Sequence, residues 1–104
     1  MTIKQKNTEE EALFKALASL QTPEQVRRFM TDLCTRQELK DFTERWWIAR
    51  LLYEKDRTYR DISALTGAST TTVGRVARFL RDEPHQGYKI VLEKSGKKAA
   101  KKAE

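Results

Sequence analysis

The stretch Thr58 to Leu80, TYRDISALTGASTTTVGRVARFL, leaves little freedom in how this chain can fold. Thr58 is a favoured N-cap, and Asp61, three residues on, is placed to reach back to the same open amides. Ile62 and Leu65 put apolar side chains on the inner side of the helix that follows. Gly67 supplies the backbone freedom needed just past a helix C-terminus, where a residue with a side chain is strained. Ala68 is small enough to sit under the turn, and Ser69 caps the next helix. Val73, Val76, Phe79 and Leu80 then recur at helical spacing and face inward. The pattern predicts two short helices joined by a tight turn, a helix-turn-helix.

That arrangement leaves Thr70, Thr71, Thr72, Gly74, Arg75 and Arg78 on or near the outer face. Hydroxyls bond phosphate or base edges, and a guanidinium grips guanine or phosphate with two bonds. These are the residue types a groove-reading helix needs. The plainer reading is a solvated amphipathic helix pair in some unrelated helical protein. Against it stand the first cap, the glycine, the second cap and the apolar spacing, which all agree.

At 104 residues the chain reads as one small domain, 1–93, able to bury only a modest core by itself, with a basic tail, 94–104. There is no apolar run of membrane-spanning length and no signal-peptide core at the N-terminus, so no membrane partner is expected. The one cysteine, Cys34, cannot form an internal disulfide and fits a reducing cytoplasm. One His and one Cys leave little material for a zinc site or a Cys/His nucleophile pair. No catalytic residue, metal site or cofactor is expected.

The net charge of +6 becomes informative once divided along the chain. Residues 1–56 balance ten Lys/Arg against ten Asp/Glu, whereas residues 57–81 hold five Arg against one Asp. Residues 82–93 hold one Lys against three acids, and residues 94–104 hold five Lys against one Glu. Positive charge thus sits on the helix-turn-helix and on the tail, as phosphate binding requires.

In chain order, residues 1–7 read as frayed. Thr8 with Glu11 forms a capping box that opens a first helix to about Leu20, with Leu13, Phe14, Leu17 and Leu20 as its stripe. Thr22-Pro23 starts a second, with Gln25 completing its box and Val26, Phe29, Met30 and Leu33 as its stripe. Thr35 with Glu38 opens the longest helix, to about Lys55. Its wide apolar face holds Leu39, Phe42, Trp46, Ala49, Leu52 and Tyr53, extended by Trp47, Ile48 and Leu51. After the helix-turn-helix (58–81) a short sixth helix is expected over 88–93. The tail, KSGKKAAKKAE, reads as disordered, either as a nonspecific phosphate grip or as a solubilising end.

A helix apolar almost all round asks for burial on more than one side, and the helices before it are too short to stand unpacked. A homodimer joined through helices within 8–55 is therefore expected. The pair Trp46–Trp47 reads as core or interface in preference to a base-stacking platform.

The runs FMTDLCTRQELKDFTERW, WWIARLLYEKDRTYRDI and TGASTTTVGRVARFL resemble the Trp-repressor-like family, and within it the YerC/YecD branch. The likeness extends from about Thr22 to Lys94. It implies an all-α, six-helix, intertwined homodimer that presents two helix-turn-helix units to successive major grooves of a roughly palindromic operator. It also implies DNA contacts at Thr70, Thr71, Thr72 and Gly74, and at Tyr59, Arg60 and Ser63 of the preceding helix. Gly74 replaces a family threonine, so the preferred DNA sequence does not transfer. The family's co-repressor residues are matched by Thr35, Arg45 and Arg75. Val76 and Phe79, however, replace a glycine and a serine of that pocket, which adds bulk where an indole needs room. The simpler roles are a cap for Thr35, a pairing with Asp41 for Arg45, and a phosphate contact for Arg75.

The leading expectation is a sequence-specific, dimeric DNA-binding regulator of transcription, a repressor in the family's manner, that does not use tryptophan. Its DNA-facing set is Tyr59, Arg60, Ser63, Ser69, Thr70, Thr71, Thr72, Gly74, Arg75 and Arg78. The alternative is a protein-interaction module that binds a transcription factor or polymerase subunit. The acidic segment with Asp82, Glu83 and Glu93 fits that second reading.

Overall fold

A computed structural model describes residues 2–103. Its six helices are α1 (Ile3–Ala18), α2 (Pro23–Leu33), α3 (Arg36–Glu54), α4 (Tyr59–Thr66), α5 (Thr70–Arg81) and α6 (Gly87–Ala103). No strand occurs among the described residues. The chain groups into two compact units, Met1–Leu39 and Lys40–Glu104.

In the first unit, α1 begins at Ile3, well before the start that the Thr8 box implies. Thr2 is the N-cap: its hydroxyl accepts from the Gln5 amide at 3.1 Å, and the Gln5 side chain accepts from the Thr2 amide at 3.0 Å. Thr2 therefore caps the helix, and residues 3–7 are helical rather than frayed. Once a helix is nucleated, each added residue gains a hydrogen bond, so the earlier of two boxes prevails. Thr8 sits inside the helix and donates to the Lys4 carbonyl. At α2 the Thr22 hydroxyl accepts from the Gln25 amide, as expected, but the Gln25 side chain accepts from Gln21 instead of Thr22. Neither α1 nor α2 holds a buried residue; Phe14, Val26 and Leu33 all remain exposed.

The reciprocal box at Thr35 and Glu38 opens α3. Beyond Glu54 the chain turns through Lys55, which takes φ 65°. In the second unit the C-terminal half of α3 supplies Ile48, Ala49, Leu51 and Leu52 to the core, beside Ile62, Ala68, Val73, Val76, Ala77, Leu80 and Leu92. Ile48, Ile62, Val73 and Val76 are almost completely enclosed. Each such side chain contributes about 1.5–3 kcal/mol relative to exposure. Trp46, Trp47 and Tyr88 lean on this cluster half-buried, and Trp46 stacks on Tyr88 with ring centroids 6.4 Å apart.

Leu65 departs from expectation: it is 50% exposed. The buried arc of α4 is set by Ile62 together with half-buried Ser63 and Thr66. A residue three positions after Ile62 falls on the other flank of that arc. The last helix also differs, running through Ala103 instead of stopping at Glu93 before a disordered tail. Its base is anchored by Leu92, 5% exposed, and Ala and Lys are strong helix formers that carry it onward. The final residue of the expected tail, Glu104, lies outside the described residues.

Candidate nucleic-acid interface

The turn between α4 and α5 is closed by hydroxyls. Thr58 and Asp61 form the reciprocal box, with Thr58 Oγ1 accepting from the Asp61 amide at 3.1 Å and the Asp61 carboxylate accepting from the Thr58 amide at 3.2 Å. The one acid of residues 57–81 is thus occupied in capping. Gly67 takes φ 81°, and its amide donates to the Ser63 carbonyl at 2.9 Å. Ser63 Oγ donates to the Ala68 carbonyl, while Thr66 Oγ1 donates to the Ile62 carbonyl and accepts from the Ala68 amide. Ser69 Oγ accepts from the Thr72 amide at 3.1 Å and lies 3.1 Å from the Thr72 hydroxyl.

This network sorts the expected contact residues. Ser63 is half-buried, and its hydroxyl donates to the Ala68 carbonyl within the turn. Ser69 and half-buried Thr72 fix the start of α5. Thr70 and Thr71 occupy its first two positions, are exposed, and lie where helix amides lack intrahelical partners. Arg75 and Arg78 are exposed one and two turns on, and a Cβ built on Gly74 would meet nothing within 4 Å. On α4, Tyr59 and Arg60 are exposed.

Two of the three α5 arginines, Arg75 and Arg78, are held by Phe79. Their guanidinium carbons lie 4.8 Å (Arg75) and 5.1 Å (Arg78) from its ring centroid, within cation–π range. Arg78 Nε also lies 3.3 Å from a Glu83 carboxylate oxygen, an exposed pair of the kind worth about 0–1 kcal/mol. Arg81, absent from the sequence-derived set, donates to the Tyr59 hydroxyl at 3.4 Å. The arginine excess of residues 57–81 already pointed to it. Arg57 is engaged with Glu54 and Asp56 at 2.8 and 3.2 Å.

Two of the residues matched to a co-repressor site, Thr35 and Arg45, make local contacts. Thr35 is a cap, and Arg45 stands over the Phe42 ring at 5.9 Å. Val76 is 1% exposed and belongs to the core, which fills the space that a glycine would leave. Phe79 does not join it. Half-buried, it borders an open hollow of about 490 Å³ with Trp46, Tyr88 and Val91 as the other apolar walls. Among the described residues no cluster of His, Cys, Asp and Glu has the makings of a metal site, and no helix is long and apolar enough to cross a membrane.

A capped helix pair with a glycine turn and an arginine-bearing outer face defines a helix-turn-helix protein of the all-α class. The sequence profile of the Trp repressor family matches residues 8–96, and the chain belongs to that family, a family of helical DNA-binding regulators. It is of the YerC type: it is 37% identical to the uncharacterized protein YerC of Bacillus subtilis over 91 residues, 88% of this chain and 86% of YerC. Among solved structures it is similar to a TrpR-like protein from Eubacterium eligens, with TM-score 0.81 and 39% identity over 91% of this chain and 96% of the other. A candidate Trp repressor from Staphylococcus aureus gives TM-score 0.79 and 30% identity over 92% and 95% of the two chains.

Proposed function

We propose that this protein is a sequence-specific, dimeric DNA-binding transcriptional regulator of the cytoplasm, a repressor in the manner of its family, which works without tryptophan as co-repressor. The observation that carries the reading is the outer face of α5. It places exposed Thr70 and Thr71 at an open helix N-terminus, and Arg75 and Arg78 follow on the same helix. In this reading Thr70 and Thr71 meet bases and backbone. Arg75 and Arg78 hold phosphates or read guanine, and Tyr59, Arg60 and Arg81 grip the flanking strand.

Dimerisation is supported by the apolar surface that one chain leaves open. Phe14, Val26, Leu33 and Phe42 lie 41% to 51% exposed, on helices where a monomer has nothing to gain from them. Two heads related by a twofold axis would engage half-sites about one DNA turn, ~34 Å, apart. Loss of tryptophan dependence is supported by Val76, whose side chain occupies the core where the indole pocket needs a glycine.

Selection of bound duplexes from a random pool, with and without amino acids, tests the whole reading. The expected product is an inverted repeat of helical-turn spacing, recovered equally in both conditions. A pool that yields no enrichment, alongside a protein that captures a polymerase subunit, would support the interaction-module alternative.

A further inference from the structure

Arg75 and Arg78 share the ring of Phe79, yet their electrostatic settings differ. The Glu83 carboxylate stands 3.3 Å from Nε of Arg78, whereas Arg75 belongs to no ion pair among the described residues. Glu83 is held in place through its own backbone. Its amide donates to the Arg78 carbonyl at 3.2 Å, and its carbonyl accepts from the Gln86 side chain. The two side chains are 57% (Arg78) and 35% (Glu83) exposed, so their pairing adds little to stability.

What the pair changes is the chemistry that Arg78 offers to a duplex. Phosphate binding draws on net positive charge and on the counterions it displaces. An arginine with a carboxylate beside it presents little net charge, and that carboxylate repels a phosphate approaching from its side. Guanine asks for something else: two N–H donors aimed together at O6 and N7. The ion pair is made through Nε, which leaves the terminal nitrogens Nη1 and Nη2 for that task. The Phe79 ring and the Glu83 carboxylate together restrict how the guanidinium can turn.

We propose that Glu83 is a positioning residue that determines specificity: it neutralises Arg78 toward phosphate and sets it to read guanine, while Arg75 takes a phosphate. The proposal rests on the DNA-binding reading above and divides the two tasks between its two arginines. The experiment compares four full-length proteins by fluorescence anisotropy over a salt series. They are the natural chain, Glu83→Gln, Arg75→Ala, and the double variant Arg78→Ala with Glu83→Gln, whose net charge equals that of the natural chain. Each meets a duplex selected from a random pool, a set in which every G·C pair of its half-site is exchanged in turn, and an unrelated duplex. Melting curves verify that all four fold alike.

Glu83→Gln frees a cation, so the unrelated duplex binds tighter and its slope of log affinity against log salt steepens by about 0.9, one phosphate. Preference for one G·C pair falls at the same time. The double variant matches the natural chain in slope and loses discrimination at that same pair, by about 5- to 150-fold. Arg75→Ala weakens all duplexes alike and flattens the slope by about 0.9. A Glu83→Gln protein that equals the natural chain overturns the proposal. So does one that tightens on every duplex by a single factor, which would make Glu83 a plain brake on binding. A double variant with a flattened slope and intact base preferences puts Arg78 on phosphate and overturns it too. Each of those results leaves the DNA-binding reading standing, whereas a natural chain that binds no duplex overturns both together.

Discussion

Arg81 donates to the hydroxyl of Tyr59 across 3.4 Å, joining the last residue of α5 to the first residue of α4. The bond is exposed, so its contribution to stability is under about 1 kcal/mol. Its effect is positional: it holds a cation and a phenol on one edge of the reading head. Tyr59→Phe and Arg81→Ala are each expected to shift the melting temperature by less than about 4 °C while weakening duplex binding about 3- to 10-fold. The double variant should weaken binding by less than the product of the two. Independent effects in that cycle would separate the two residues.

Gly67 has φ 81°, and a Cβ there would meet no atom within 4 Å. The cost of a side chain is then purely that of the left-handed backbone. Gly67→Ala should destabilise the fold by about 1–2 kcal/mol, read as a lower urea midpoint at unchanged slope. Gly67→Asn should lose clearly less, because asparagine tolerates that backbone. Equal losses for the two would mean that something other than φ limits this site.

At Gly74 the same substitution should act in the opposite direction. The residue lies inside α5 with ordinary helical backbone and open space at its Cβ position. Gly74→Ala is expected to stabilise the protein by about 0.5–1 kcal/mol. If DNA lies against this face, as proposed, the added methyl should nevertheless weaken duplex binding. A variant both more stable and equally tight would place the DNA away from Gly74.

Val76 is 1% exposed at a position where its resemblance to the trp repressor would put glycine. Val76→Ala should cost about 2 kcal/mol, as core truncations of this size do. Calorimetric titration of the natural protein with tryptophan to about 1 mM should show no binding, which corresponds to an affinity weaker than about −4 kcal/mol. A saturating heat signal, or DNA affinity that rises with tryptophan, would defeat that expectation.

Local chemistry was the legible part of this sequence. The boxes at Thr35 and Thr58, the caps at Thr22 and Ser69, and the glycine after α4 each depend on residues within four positions of one another. Where two local signals competed, the reading failed: Thr2 with Gln5 outranked Thr8 with Glu11. Burial was legible only for residues near the centre of an apolar arc. Ile62 and Val73 lie there, while Leu65 and Phe79 lie at its margins, where neighbouring helices decide which side is covered. The Arg81–Tyr59 bond spans 22 positions and has no local signature. The extension of α6 was hidden by composition, because a lysine- and alanine-rich segment looks equally like an unfolded tail and a good helix.

The turn joining α4 and α5 engages the hydroxyls of Ser63, Thr66 and Ser69 within itself. These bonds pre-organise the turn and so reduce the ordering entropy to be lost there on contact. A partner meets a finished surface. Association at this head would then be governed by diffusion and long-range charge, with a rate that falls steeply as salt rises. The burden of adjustment would pass to the partner, and a duplex that bends or twists readily would be favoured over a stiff one with the same contacts.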